Sequence, residues 1–186
     1  MNYLDSVKEF ISKECKRNGK ERDIKHYERT LCWLLQLKPN ANEALKIAAF
    51  AHDAERVFRS ATYKNITKSE KGFQDKIHLK HHQETGAKII LDYLLKSNAS
   101  SELANEVSRL ILKHEVGGDN KQNLLKDADS ISFFETNIEL FLNQKIKETS
   151  KEMVKNKFDW MYKRISSPKA KVICKNWYQD AINKLG

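Results

Sequence analysis

The chain has 186 residues, enough for one domain with a sizeable core and short for two. Only six of them are glycine and two proline, too few for the tight turns of a β-sandwich or barrel, so helices are the default. The 40% hydrophobic and 32% charged composition fits a soluble helical domain and excludes a disordered chain, and no apolar run approaches the roughly 18 residues of a membrane span.

Tyr3, Leu4, Val7, Phe10 and Ile11 form an amphipathic stripe that Asn18-Gly19 ends. The first twenty residues have no signal-peptide core. Cys15, Cys32 and Cys174 are scattered, with no CxxC, which argues against a disulfide framework and points to a cytoplasmic chain. A second stripe uses Tyr27, Leu31, Leu34 and Leu35 and stops at Pro39. The third helix starts near Asn42, is apolar almost all round, and should sit in the middle of a bundle. Residues 59–76 are polar, without periodicity, and read as a loop long enough to be functional, with Tyr63, Lys64 and Lys68 as parts of a lid.

A further helix carries His82, Gly86, Ile89, Ile90, Tyr93 and Leu94 on one face. Ser100 or Ser101 caps the next, which has Leu103, Val107, Leu110, Ile111 and His114 inside and ends at Gly117-Gly118. A long helix is expected from about Asn123 to Gln144. Thr149-x-x-Glu152 reads as a capping box before Met153, Val154, Phe158, Met161 and Tyr162. Ser167-Pro168 opens the last helix. The expected architecture is therefore an all-α, single-domain bundle of about eight helices over residues 1–186. Net charge is +9, and 11 Lys/Arg against 4 Asp/Glu fall between Gln144 and Gly186. Such a run is either a solvated helix surface or a face for nucleic acid or an acidic partner.

The strongest chemical clue is Asp53. The apolar third helix runs straight into adjacent His52 and Asp53, and an ionised carboxylate buried without a partner costs several kcal/mol. A divalent cation would satisfy both residues. His26 lies on the preceding helix, across the short connection at residues 38–41. His82 and His114 each replace an apolar residue on an inner helical face. Helical bundles build metal sites from such inward side chains. Imidazole with carboxylate suits Mn, Fe, Co, Ni or Zn rather than Ca, with Mg admitted.

The order His26 … His52-Asp53 … Asp129 resembles the HD-domain superfamily of metal-dependent phosphohydrolases, whose signature is H…HD…D on a helical bundle. "HHQETGAKIILDYL", "LILKHE" and "LLKDADSI" are similar to its later segments, so the likeness covers about residues 24–135, with helices over 149–186 packed on that core. The chain also resembles a bacterial family known only as a domain of unknown function, in which the Asp of the pair is often missing; this chain keeps it. The resemblance implies that His26, His52, Asp53 and Asp129 hold a metal, and that His82 and His114 bind a second ion or sit near a phosphate.

Periodicity places Asp127 near the Leu124, Ile131, Phe134 and Ile138 stripe, whereas the family's A-D pattern favours Asp129. The expectation is Asp129 as the last ligand, with Asp127 behind it or in its place. Arg56, one turn after Asp53, could meet a substrate phosphate or be an exposed helix arginine. The nucleotidase and ppGpp-hydrolase branches often have a catalytic Glu there, and Glu55 is one residue off. Lys113 could steer anions. His78 shares a face with His82, while His78 and His81 suit a solvated loop edge. The implied activity is hydrolysis of a small phosphorylated substrate, a phosphate ester or nucleotide, with Asp53, Arg56 and Lys113 as catalytic candidates and one or two divalent ions as cofactor. Two rivals remain: a di-iron oxygenase of the HD type, and a non-catalytic basic module that binds RNA or an acidic protein.

Overall fold

The computed structural model describes residues 2–59 and 72–186. Every regular element among them is helical, with no strand: α1 (Tyr3–Arg17), α2 (Glu21–Leu37), α3 (Glu43–Ala51), α4 (Ala54–Phe58), α5 (Lys76–Lys96), α6 (Ser101–Ile111), α7 (Asn120–Thr136), α8 (Ile138–Leu140), α9 (Ile146–Glu148), α10 (Lys151–Lys163) and α11 (Pro168–Leu185). The all-α bundle is the one expected. The proposed lid at residues 59–76, with Tyr63, Lys64 and Lys68, lies outside the described residues except at its two ends. No helix among the described residues is long and apolar enough to cross a membrane.

Several boundaries follow from capping chemistry the sequence displays. The side chains of Asn42, Ser100 and Ser167 accept hydrogen bonds from the backbone amides of Leu45, Leu103 and Ala170. They thereby satisfy donors that a helix start leaves open. Pro168 occupies the first turn of α11, where no amide is missed. Gly19 takes φ +65° just beyond α1, a conformation that favours glycine.

Two expectations need correction. The long helix does not run from 123 to 144. It begins one turn earlier, because Asp119 and Gln122 form a capping box. It stops at Thr136, whose hydroxyl bonds back to the Ser132 carbonyl at 2.7 Å, a pattern that bends helices. The chain continues through α8, a π turn at Phe141–Lys145, and α9. The second correction concerns α10. Its cap is Ser150, which accepts from the Met153 amide at 3.1 Å. The Thr149 hydroxyl is already spent on the Lys145 carbonyl, at 2.7 Å.

Two apolar clusters share one helix. The first gathers α1, α2, α3, α5 and α6 around Ile11, Leu34, Ile47, Phe50, Ile90 and Leu110, and includes Leu125 and Ala128 of α7. The second packs Ile131, Phe133 and Phe134 of the same α7 against Phe141, Phe158, Met161 and Cys174. Each such fully buried side chain contributes about 1.5–3 kcal/mol of burial. Because α7 is enclosed by both clusters, every residue from Leu125 to Phe134 is buried, its polar residues included.

Gly86 lets α5 approach the turn between α3 and α4. A Cβ there would stand 3.4 Å from the His52 carbonyl oxygen and 3.5 Å from the Glu55 amide. Alanine can be absorbed by a small shift, but Gly86→Val should cost about 1–3 kcal/mol by overpacking. It should lower the melting temperature by several degrees and lift His82 from its position. An unchanged melt for the valine variant would show that the close approach is not needed.

Candidate metal centre

Five segments deliver side chains to one point. His26 comes from α2, His52 from the end of α3, and Asp53 from the turn before α4. His82 comes from α5, and His114 from the turn after α6. All five are buried. The rings of His26 and His52 lie 5.2 Å apart, those of His52 and His114 5.2 Å, and those of His82 and His114 5.1 Å.

The outer ring nitrogens are all committed. His52 Nδ1 donates to the Ala49 carbonyl at 3.0 Å, and His114 Nδ1 to the Ile111 carbonyl at 2.8 Å. His82 Nδ1 donates to the Glu55 carboxylate at 2.7 Å. The Ser132 hydroxyl donates to the His26 carbonyl at 2.9 Å, so His26 Nδ1, also 2.9 Å away, donates to that hydroxyl. With each Nδ1 holding its proton, a neutral ring presents the Nε2 lone pair inward. This is how metal-binding imidazoles are held in one tautomer.

The inward atoms face carboxylates. His82 Nε2 is 2.9 Å from Asp53 Oδ1 and His114 Nε2 is 3.7 Å from the same oxygen. His26 Nε2 and His52 Nε2 lie 3.8 and 3.7 Å from Asp53 Oδ2, and 3.1 and 3.4 Å from Asp129 Oδ1. A lone pair set against a carboxylate this closely requires a cation, either a proton or a metal ion. The Nε2 atoms of His52 and His114 are buried without any hydrogen-bond partner. The donor set and these two orphaned nitrogens fit a divalent transition metal. Ligand atoms of His26, His52 and Asp53 lie mutually within 4.8 Å, as do those of Asp53, His82 and His114. Asp53 thus belongs to both groups.

The electrostatics suit a cation at this point. Burial opposes ionisation of Asp53 and Asp129, but Arg56 with His52 holds the first, and Arg164 with His52 the second, well below the usual carboxylate range. Burial would depress His52, yet Asp53 and Asp129 raise it to about 8. His82 is likewise raised, its hydrogen bonds to Asp53 and Glu55 outweighing burial.

Asp129 rather than Asp127 meets the histidines. Asp127 turns the other way: its two oxygens accept from the Ser166 and Ser167 amides at 2.8 and 2.7 Å, pinning the start of α11. Both carboxylates can be internal because α7 is enclosed. Asp127→Ala should therefore cost about 0.5–2 kcal/mol, the price of a lost cap, while metal retention stays at the wild-type level. Metal analysis and a thermal melt of that variant check this, and loss of metal would return Asp127 to the ligand set.

Arg56 sits beside the cluster, its Nε 3.1 Å from Asp53 Oδ2, with over a third of its side chain exposed to the cavity. Lys113 does not join it: the residue is exposed and absent from the cavity lining. The turn after Ile111 directs His114 inward, which leaves its neighbour in solvent. Glu55 is buried and orients His82 instead of facing the cavity. His78 lines the cavity, while His81 is exposed.

Sequence reasoning missed Glu115 and Arg164. Glu115 is buried, with Oε1 3.9 Å from His114 Nε2 and 4.0 Å from His82 Nε2. Arg164 binds Glu115 through Nη1, Asp129 through Nη2 and the Ser130 hydroxyl through Nε at 2.9 Å. Its spacing offered a signal: Val154, Lys157, Met161 and Arg164 recur at 3-4-3 intervals along one face of α10 and its C-cap.

Fold and cluster together define an all-helical protein with a buried imidazole–carboxylate centre able to hold metal. The chain belongs to the family described as Domain of unknown function (DUF4202), which matches residues 3–185. No curated protein and no solved structure matches it significantly.

Proposed function

We propose that the chain is a metal-dependent phosphohydrolase of the HD type, acting on a small phosphate ester or nucleotide. The observation that supports this most directly is the set of four imidazoles, each fixed in one tautomer, converging on Asp53 and Asp129. The adjoining cavity, about 200 Å³, is lined by Arg22, Lys25, Arg56, Arg59, Lys145 and Lys157, a surplus of cations that suits an anionic substrate.

His26, His52, Asp53 and Asp129 would hold one ion, and His82 and His114, with Asp53 shared, a second. A divalent ion in such a place supplies a bound water of lowered pKa and polarises a phosphoryl oxygen. The residues of the chain do the rest. Asp53 orients the attacking water, its carboxylate kept ionised by the Arg56 guanidinium beside it. Glu55 keeps the His82 ring in register. Arg56 reaches from Asp53 into the cavity, where its guanidinium can take charge that develops on the phosphoryl group.

The sharing of Asp53 between two donor groups also suits a di-iron oxygenase. Elemental analysis of protein purified without added metal, followed by a panel of phosphate esters and nucleotides with that metal, separates the readings. Hydrolysis that a chelator abolishes is the expected result. Two irons per chain with visible absorption in air, and no hydrolysis, would overturn it in favour of the oxygenase. A basic binding module, the third reading, would bind nucleic acid with steep salt dependence and turn over nothing. Against it, Lys157 is buried and the Arg164 side chain is only 6% exposed, and Lys155 and Lys184 are paired with Asp159 and Glu139.

A further inference from the structure

We propose that Lys157 is an anion anchor in the wall of the cavity, where its ammonium takes an oxygen of the phosphoryl group presented to the histidine–aspartate cluster. This deepens the hydrolase reading and rests on it for the class of substrate; binding itself is measured separately below.

Lys157 lies on the inner face of α10 and is only 6% exposed. It lines the same cavity as Asp53, Arg56, His82 and Glu115. Its Nζ sits 4.4 Å from the centre of the Trp160 ring and 5.6 Å from that of Phe133. Those ring faces attract a cation but do not replace a counter-ion. Among the described residues no carboxylate oxygen stands within 4.0 Å of Nζ and no protein acceptor takes a hydrogen bond from it, while the residue borders the cavity. Arg164, the other buried cation of this segment, meets two carboxylates and a hydroxyl. Glu115 is already bound to Arg164 and offers Lys157 only a longer-range attraction.

A buried ammonium without a partner is costly. Burial pushes Lys157 down to about 8, with Glu115 acting in the opposite direction, so the group is largely charged at neutral pH. With no protein partner, the ammonium is open to a ligand from the cavity side, and a negative one suits it best. A tetrahedral oxyanion can offer one oxygen to Lys157 and another to Arg56, which lines the same space. A neutral ligand would leave the ammonium as it is.

Lys157→Met keeps the length of the side chain and removes its charge. Chain loaded with Mn²⁺ is titrated with inorganic phosphate by calorimetry, and the phosphate-free proteins are melted. The variant should bind phosphate at least tenfold more weakly than wild type. Its melting temperature should be equal or higher, since an unpaired buried charge has gone. Phosphate affinity within twofold of wild type, or no phosphate binding by the wild type, would overturn the proposal. So would a variant that no longer folds, which marks a structural ammonium. Lys157-dependent phosphate binding without hydrolysis of any ester keeps the anchor and removes the hydrolase reading. Hydrolysis with an unchanged KM in the variant does the reverse.

Discussion

Asp53→Ala and His52→Ala should each abolish metal retention and lower turnover of any phosphate substrate by more than about a thousandfold, the scale on which a lost metal-held nucleophile acts. Asp53 is the harsher loss, because it faces four imidazoles and belongs to both donor groups. Metal content by elemental analysis and turnover on the active substrate check both. A metal-free double variant with full activity would end the mechanism.

The same site predicts a dependence on pH. His52 is raised to about 8 in the metal-free fold, so at pH 7 it carries a proton that an ion must displace. Loading should release protons, measurable by calorimetry in buffers of different ionisation enthalpy, and should tighten as pH rises through about 8. The folded-state pKa lies above the ordinary 6.5. The contribution of His52 to metal-free stability is therefore full below 6.5 and lost as pH rises through 8. Metal-loaded protein should not show that loss, and equal pH profiles with and without metal would contradict the assignment.

The second large effect concerns Arg164. Removing one partner of a buried ion pair typically costs 3–5 kcal/mol, because a charge is left without compensation. Arg164 serves two carboxylates at once. Arg164→Met should lower the melting temperature of the metal-free chain by on the order of 10 °C, given roughly 2–4 °C per kcal/mol at this size. Added Mn²⁺ should restore part of the loss, since an ion beside Asp129 supplies counter-charge that the arginine no longer does. Arg164→Lys should recover little, for one ammonium cannot reach Glu115, Asp129 and Ser130 in the planar fork that the guanidinium offers. A melt within about 2 °C of wild type would show that the two carboxylates are neutralised by other means.

Much of this was legible in the sequence because it rests on local patterns. Apolar periodicity gave the helices, and Asn42, Ser100 and Ser167 marked their starts. The ordered histidines and aspartates suggest a common point, and the rings of His26 and His52 stand 5.2 Å apart. What stayed hidden depends on three-dimensional surroundings. Periodicity assigns one inner face to a helix, so it favoured Asp127; α7 has no outer face between Leu125 and Phe134, and both aspartates are used. A lysine or arginine in a basic run looks solvated unless its spacing is set against the apolar stripe beside it, and Lys157 and Arg164 were overlooked for that reason. Glu115 carries no periodic signal, since it follows the end of α6 in a turn. The Thr149-x-x-Glu152 spacing points to Thr149, but the backbone path makes the neighbouring Ser150 the cap.

The Arg164 clamp limits how the chain can be divided. A fragment trimmed to residues 24–135 would contain every proposed ligand, yet it would lack the guanidinium that holds Asp129 and Glu115, and the Ser166 and Ser167 amides that Asp127 grips. Such a truncation should behave as a loosened, ion-hungry remnant, so the histidine-bearing half and the C-terminal half have to be inherited and engineered as one piece.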